Sequence, residues 1–116
     1  MTGVVAMAIS ALLAVESGNG RNGRHGDNGR AVGVLQQWKI SVDEGNRIVG
    51  EKRWTYKDRE DPVKSVEMCR ITLERHYLRG VTNPVDLACR WRNPLGNCPR
   101  WYRERVKRAM KTKGTK

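Results

Sequence analysis

Two carboxylates in contrasting surroundings are the residues of this chain best suited to chemistry. Glu16 follows an uncharged run from Val4 to Val15, and Asp27 lies eleven residues later among glycine and asparagine residues. The run lacks Pro and Gly and is rich in Ala, Met and Leu, which predicts a helix buried on most of its surface. A carboxyl group in its last turn faces the negative end of the helix dipole and loses water, so we predict a raised pKa for Glu16. Asp27 is expected in a hydrated loop, where it stays ionised.

Cleavage of a glycosidic bond requires two carboxyl groups of this kind. One donates a proton to the leaving oxygen, and the other stabilises an oxocarbenium-like centre or activates water. Each residue also has a structural explanation, since a Glu at a helix end is commonly solvated and an Asp in a Gly-rich loop commonly makes a turn. The two residues alone therefore leave both catalysis and structure open.

The sequence around these carboxylates resembles the active-site stretch of the lysozyme-like superfamily. AVESGNG and the later GDNGRAVGVLQ are similar to the E-S pair and G-x-x-Q segment of lytic transglycosylases, and the intervening aspartate is similar to that of bacterial and phage relatives of invertebrate-type lysozymes. The resemblance implies a cofactor-free, metal-free glycoside hydrolase that cleaves the β-1,4 bond between amino sugars of peptidoglycan. It implies Glu16 as general acid, Asp27 as second carboxylate, and Ser17 and Gln36 as residues of the cleft.

Weaker similarity continues downstream. EDPVKSVEMCRITLERHYL is similar to the helix after the active-site segment, and NPVDLACRWRNPLGNCPRWYRERV stands where those families have an N-G-G-P-like loop and a final helix. The resemblance implies that Asn93 contacts an acetamido group or a sugar hydroxyl, although this chain has Asn93-Pro94-Leu95-Gly96 where relatives tend to have N-G-G. Tyr77, at the end of the first of these stretches, is a further candidate for substrate contact.

Alternatives to hydrolysis remain open at this point. In a lytic transglycosylase, Glu16 would act alone as acid and then base while the 6-hydroxyl of the sugar attacks; the presence of Asp27 favours hydrolysis, by a retaining or an inverting course. A lysozyme-like protein without catalysis would bind glycan or serve a structural role.

The elements that would position these residues are mainly helical. We predict a mainly α, lysozyme-like fold of about five to six helices with at most a small hairpin, the latter between residues 18 and 33. Asp61 and Pro62 provide an N-cap and a first helical residue for a helix that reaches Gly80. Its apolar stripe is predicted to face the core: Val63, Val66, Cys69, Leu73 and Tyr77.

Three further helices follow from local signals. A capping box at Ser41 starts a short helix that ends at Gly50. Asn83-Pro84 begins a helix that Asn93-Pro94 breaks, and Pro99 opens the last helix. The segment 33–38 suits a short helix or a strand, and the family resemblance favours helix. Residues 1–110 then form one domain, and residues 111–116 form a frayed basic tail.

The charge of the chain favours anionic partners. Lys+Arg 23 against Asp+Glu 12 give 116 residues a net charge of +11, and residues 100–116 hold eight of the basic residues. Nucleic acid, anionic lipid and the polymers of an acidic cell envelope all suit such a charge. A small helical nucleic-acid-binding protein is therefore an alternative, although no helix-turn-helix spacing supports it. In the enzyme interpretation, the basic C-terminus tethers a monomer to envelope polymers.

Cysteine usage and the N-terminus bear on the compartment. Cys69, Cys89 and Cys98 lack C-x-x-C spacing, which predicts reduced structural thiols and no zinc site, with a Cys89–Cys98 bridge as the alternative in an oxidising compartment. The N-terminal apolar run is too short to span a bilayer and follows no Lys or Arg, so we interpret it as a core helix and not as a signal peptide. The localisation stays open, and the resemblance points to bacterial or phage origin.

Overall fold

The computed structural model describes residues 2–17 and 30–114, and within them the chain is mainly α, as predicted. The five α-helices of these residues are α1 (Gly3–Ser17), α2 (Lys39–Val49), α3 (Pro62–Leu78), α4 (Pro84–Arg92) and α5 (Arg100–Gly114), with a 3-10 turn at Tyr56–Glu60. The described part contains no β-strand, and Val32 and Gln37 form an isolated antiparallel bridge. Asp27 and most of the segment in which a hairpin was expected lie outside the described residues.

Helix α1 is the centre of the fold. It packs against α3, α4 and α5, and its residues Val5, Ala8 and Leu12 are fully buried. This helix is apolar on nearly all sides because other helices cover most of its surface. The packing fixes the C-terminal end of α1, where Glu16 lies, relative to α5.

The predicted N-caps of α3 and α4 are confirmed. The Asp61 carboxylate accepts hydrogen bonds from the backbone N–H groups of Val63 and Lys64 at 2.9 and 3.1 Å. Asn83 accepts the equivalent bonds at 2.8 and 3.3 Å. In each case a proline occupies the first helical position, where its missing N–H costs nothing.

The predicted core stripe of α3 was wrong in the first turn. Val63 is 77% exposed, while Ser65, Met68 and Thr72 are buried. The reason is that α3 packs on two sides, against α1 and α4 on one and against α2 on the other. Met68 faces the second side, where it joins Val42 and Trp54 in a smaller core cluster.

The helix expected between residues 33 and 38 is a tight turn instead. Val32 and Gln37 exchange backbone hydrogen bonds of 3.0 and 2.9 Å, and Gly33 has φ 85°. A Cβ at Gly33 would lie 2.1 Å from the backbone oxygen of Arg59. Close approach of the 3-10 turn therefore selects this left-handed glycine conformation over a helix.

A buried polar network holds this turn in the fold. The Gln37 side chain donates to the Met68 sulfur at 3.3 Å and accepts from the Ser65 hydroxyl at 3.1 Å. The Arg59 guanidinium donates to the backbone oxygens of Arg30 and Gln37, each at 3.2 Å. The Gln37 and Arg59 side chains thus find their hydrogen-bond partners within the protein, which allows polar side chains to be buried here.

Two further expectations need correction. Helix α2 starts at Lys39 rather than after Ser41, although Gly50 ends it as predicted with φ 77°. Cys89 and Cys98 form a disulfide with a Cα–Cα distance of 5.6 Å, so only Cys69 stays a buried free thiol.

Helix α5 extends to Gly114. Within the described residues, no helix has the length and apolar character needed to cross a membrane.

Candidate active site

A cleft of about 710 Å³ opens beside the C-terminal end of α1. Helix α2 packs on α3 and the 3-10 turn, whereas α4 and α5 pack on α1, so the cleft lies between α2 and the α4–α5 pair. Its volume is in the range typical of ligand sites. Its lining comes from all five helices and two adjoining segments: Val15, Glu16, Gln36, Trp38, Ile40, Ser41, Glu44, Thr72, Arg90, Trp91, Arg92, Pro94 and Arg105.

Glu16 is a half-buried residue of this cleft and is held by α5. Its Oε2 accepts a hydrogen bond from the Tyr102 hydroxyl, and Tyr102 is 1% exposed. Burial first, and then the charge of Glu16, raise the pKa of Tyr102 well above its usual value. The phenol therefore keeps its proton and remains a donor to the carboxyl group at any physiological pH.

The buried thiol of Cys69 is a second neutral group that is coupled electrostatically to Glu16. Cys69 is fully buried in the main core cluster, and burial together with the charge of Glu16 raises the pKa of its thiol well above the usual value. The thiol therefore remains protonated and inert. In this part of the site, Glu16 is ionisable while its neighbours Tyr102 and Cys69 are fixed in their neutral forms.

Gln36 lies in the same cleft as Glu16, although twenty residues separate them in sequence. It has φ 46° at the end of the tight turn, and its side-chain Nε2 donates to the backbone oxygen of Gly33 at 3.0 Å. The turn thus fixes the side chain as well as the backbone. Ser17 is the last residue of α1, next to Glu16, but its side chain and all of Asp27 lie outside the described part of the structure.

The other two predicted substrate contacts, Tyr77 and Asn93, are not among the residues that line this cleft. Tyr77 packs against the main core cluster. The Asn93 side chain donates to the backbone oxygen of Asn97 at 3.1 Å and accepts from the Leu95 N–H at 3.0 Å, so it shapes its own loop. Pro94, the residue after Asn93, is the member of this loop that lines the cleft.

Glu44 is a cleft carboxylate that the sequence analysis did not select. Arg47 Nε donates to it at 2.9 Å, and this bond, opposed by partial burial, lowers the pKa of Glu44. Glu44 is therefore ionised at neutral pH. Its sequence signal, an acidic residue three positions before Arg47, indicates an ion pair on a helix. Only the packing of α2 reveals that it also reaches the cleft.

Arginines line the opposite side of the cleft. Arg92 has its Cζ 4.7 Å from the ring centroid of Tyr102 and 5.2 Å from that of Trp101. Arg105 has its Cζ 5.8 Å from the same Trp101 ring. Arg90 donates to the backbone oxygen of Pro94 at 2.8 Å and so supports the loop after α4. The two sides of the cleft consequently differ in charge.

Chemically, the arrangement presents a positioned carboxyl group to a ligand in a cleft with an acidic and a basic side. Among residues 2–17 and 30–114, no group of three or more His, Cys, Asp or Glu residues is placed to hold a metal ion. No model of a protein family matches the chain, and neither does any of the curated proteins or solved structures with which it was compared.

Proposed function

We propose that this chain is a peptidoglycan-cleaving glycosidase of the lysozyme type, with a lysozyme-like fold and Glu16 as its general acid. The observation that supports this most is the placement of Glu16: it is half-buried in the cleft and hydrogen-bonded to the buried Tyr102. Gln36, another residue selected from the same motif, lines the same cleft. Two motif residues far apart in sequence thus meet at one site of suitable size.

In the proposed reaction, Glu16 protonates the oxygen of the β-1,4 bond as that bond breaks. Tyr102 acts as a positioning residue, since its hydrogen bond limits the orientations open to the carboxyl group. A fixed orientation matters because proton transfer requires the acid within hydrogen-bond reach of the leaving oxygen.

Asp27 is the proposed second carboxylate, either as nucleophile or as the base that activates water. A separation of ~5 Å from Glu16 would imply retention of configuration, and ~6.5 to 9.5 Å would imply inversion. Glu44 is a rival for this role because it is ionised and lines the cleft. Comparison of Asp27→Asn with Glu44→Gln tests the assignment: we expect the first to lose at least about a hundredfold in kcat and the second far less.

The test of the proposed function is digestion of purified peptidoglycan followed by mass spectrometry of the released fragments. Free reducing ends are the expected result. Anhydro ends would reassign the chain to lytic transglycosylase chemistry, in which Glu16 acts without a second carboxylate. If folded protein releases no fragment, the proposed activity is wrong on this substrate, and binding assays with glycan and with nucleic acid would separate the two remaining alternatives.

A further inference from the structure

On the basic side of the cleft, Arg92 and Arg105 both lie against the ring of Trp101, and we name these three residues the arginine–tryptophan stack. The indole of Trp101 is contacted by both guanidinium groups, with Cζ-to-centroid distances of 5.2 and 5.8 Å. Both arginines line the cleft that contains Glu16, and Trp101 is 53% exposed. Stacking holds a guanidinium by its face and leaves its N–H edge able to donate.

Within residues 2–17 and 30–114, neither Arg92 nor Arg105 has a carboxylate oxygen within 4 Å, in contrast to Arg103 on the same α5 helix. Arg103 forms an ion pair with Asp86 at 2.8 Å. Two guanidinium groups that line one cleft, with no acidic partner from the described chain, form a suitable site for a planar anion. A carboxylate is such an anion, since its two oxygens match the donor spacing of a guanidinium edge.

The opposite side of the cleft is less suited to the same anion. Glu44 lies there as an ionised carboxylate, and Arg47 is already paired with it. A ligand that carries both neutral sugars and carboxylates would therefore bind with its carboxylates toward α4 and α5. The charge difference thus restricts how a strand can lie across Glu16.

Resting on the proposed function, we propose that the arginine–tryptophan stack binds a carboxylate of the peptide stems carried by the glycan strand. This assigns the substrate as peptide-bearing peptidoglycan with free stem carboxylates, in preference to uncharged amino-sugar polymers of the same linkage. Unlike the general attraction of a basic protein for an acidic polymer, such recognition depends on two particular arginines.

The experiment compares binding to insoluble peptidoglycan sacculi before and after their carboxylates are converted to amides with carbodiimide and ammonia. Binding is measured by cosedimentation with the Glu16→Gln protein, so that cleavage does not intervene. We expect the untreated sacculi to bind about fivefold more tightly, the size expected of about one exposed ion pair. In the Arg92→Gln/Arg105→Gln background, the ratio of the two dissociation constants should fall to about one. Loss of Arg92 could also disturb Tyr102 and the rest of the site. Such a disturbance changes both dissociation constants alike and therefore cancels in their ratio.

Arg100→Gln is the matched control, because it removes one exposed arginine from the same helix without touching the described cleft lining. Arg105→Gln alone should lower the ratio, and Arg100→Gln should preserve it. The proposal is wrong if the parent protein shows no preference, if the double variant keeps it, or if Arg100→Gln loses as much as Arg105→Gln. Protein with Glu16 intact is assayed on both sacculi in parallel. Failure to cleave either would contradict the proposed activity, while the binding ratio would still decide the role of the stack.

Discussion

The contact between Glu16 and Tyr102 joins the end of α1 to α5 across 86 positions of sequence. A buried phenol with a raised pKa donates a hydrogen bond but does not ionise at neutral pH. Its contribution to catalysis is therefore orientation of the carboxyl group, which makes kcat the parameter that reports on it.

Tyr102→Phe removes only the hydroxyl group and keeps the buried ring. We expect kcat on peptidoglycan to fall by about tenfold to a hundredfold, because a misoriented acid seldom reaches the leaving oxygen, while KM stays within about twofold. Steady-state kinetics on soluble strands measure both. Tyr56→Phe is the control, since that hydroxyl is exposed and bonded to Asp43 at 2.9 Å. Equal kcat in wild type and Tyr102→Phe would contradict the positioning role.

His76 on α3 makes stability depend on pH. Burial first, and then the positive charges of Arg90 and Arg79, lower the pKa of this half-buried imidazole in the folded protein. The unfolded chain takes up the proton near pH 6.5, whereas the folded chain does so only at lower pH. The contribution of neutral His76 to the free energy of unfolding is therefore complete above about pH 6.5. It decreases as the pH falls from there through the lower pKa of the folded state.

Urea unfolding at pH 7.5 and pH 5.5 tests this dependence. Wild type should be less stable at the lower pH, and His76→Gln should show a smaller difference between the two conditions. The pKa of Glu44 is lowered from its usual value of 4.5. Its contribution to the free energy of unfolding is therefore lost only in more acidic solution. An unchanged difference in His76→Gln would show that His76 is not the responsible group.

At the scale of elements, the turn from Val32 to Gln37 determines where Gln36 lies. Its geometry depends on Gly33, which has φ 85° and lies against the Arg59 carbonyl. Gly50 has a similar φ of 77°, but a Cβ added there would have no other atom within 4 Å. A substitution at Gly50 therefore tests backbone strain alone, whereas one at Gly33 tests backbone strain together with steric clash.

Gly33→Ala should lower the free energy of unfolding by at least about 2 kcal/mol, since the new Cβ must displace the backbone of the 3-10 turn as well as adopt a left-handed conformation. Gly50→Ala should cost about 1 kcal/mol, from the conformation alone. Urea unfolding of both variants gives the comparison. Equal losses would mean that the close approach to Arg59 has no energetic weight.

Some elements of the fold could be predicted from sequence, whereas this turn could not. The starts of α3 and α4 could be predicted because Asp61-Pro62 and Asn83-Pro84 are local signals that need no tertiary contact. The turn could not be predicted, because the contact that selects it comes from Arg59, more than twenty residues later. The exposure of Val63 was missed for a related reason: helical spacing identifies a face, but not that α3 packs on two sides.

At the scale of the whole molecule, the lining of the candidate site could be predicted only in part. Glu16 and Gln36 were selected from one stretch of sequence, and both line the cleft. Tyr102 reaches the site because α5 packs on α1, and Glu44 reaches it because α2 packs on α3 and the 3-10 turn; no local pattern marks either residue. Asn93 was selected only because of the resemblance, and its side chain bonds within its own loop, to Asn97 and Leu95.

The net charge of +11 also acts at this scale. If the basic C-terminal region tethers the protein to anionic envelope polymers, lysis of whole cells should fall as salt rises, because the attraction is screened over ~8 to 10 Å. Cleavage of short soluble fragments should change much less. A turbidity assay and a fragment assay over the same salt titration measure the two, and cell lysis that stays constant throughout would contradict tethering.

The activity of Glu16→Gln on purified peptidoglycan decides whether Glu16 is the general acid. The amide keeps the shape of the side chain and removes the transferable proton, so we predict a loss of about a hundredfold to ten-thousandfold in rate, with helical content and cooperative unfolding retained. Glu51→Gln, an exposed carboxylate paired with Arg53 at 3.1 Å, should retain wild-type activity. Full activity in a folded Glu16→Gln protein would contradict the assignment of Glu16 as the general acid.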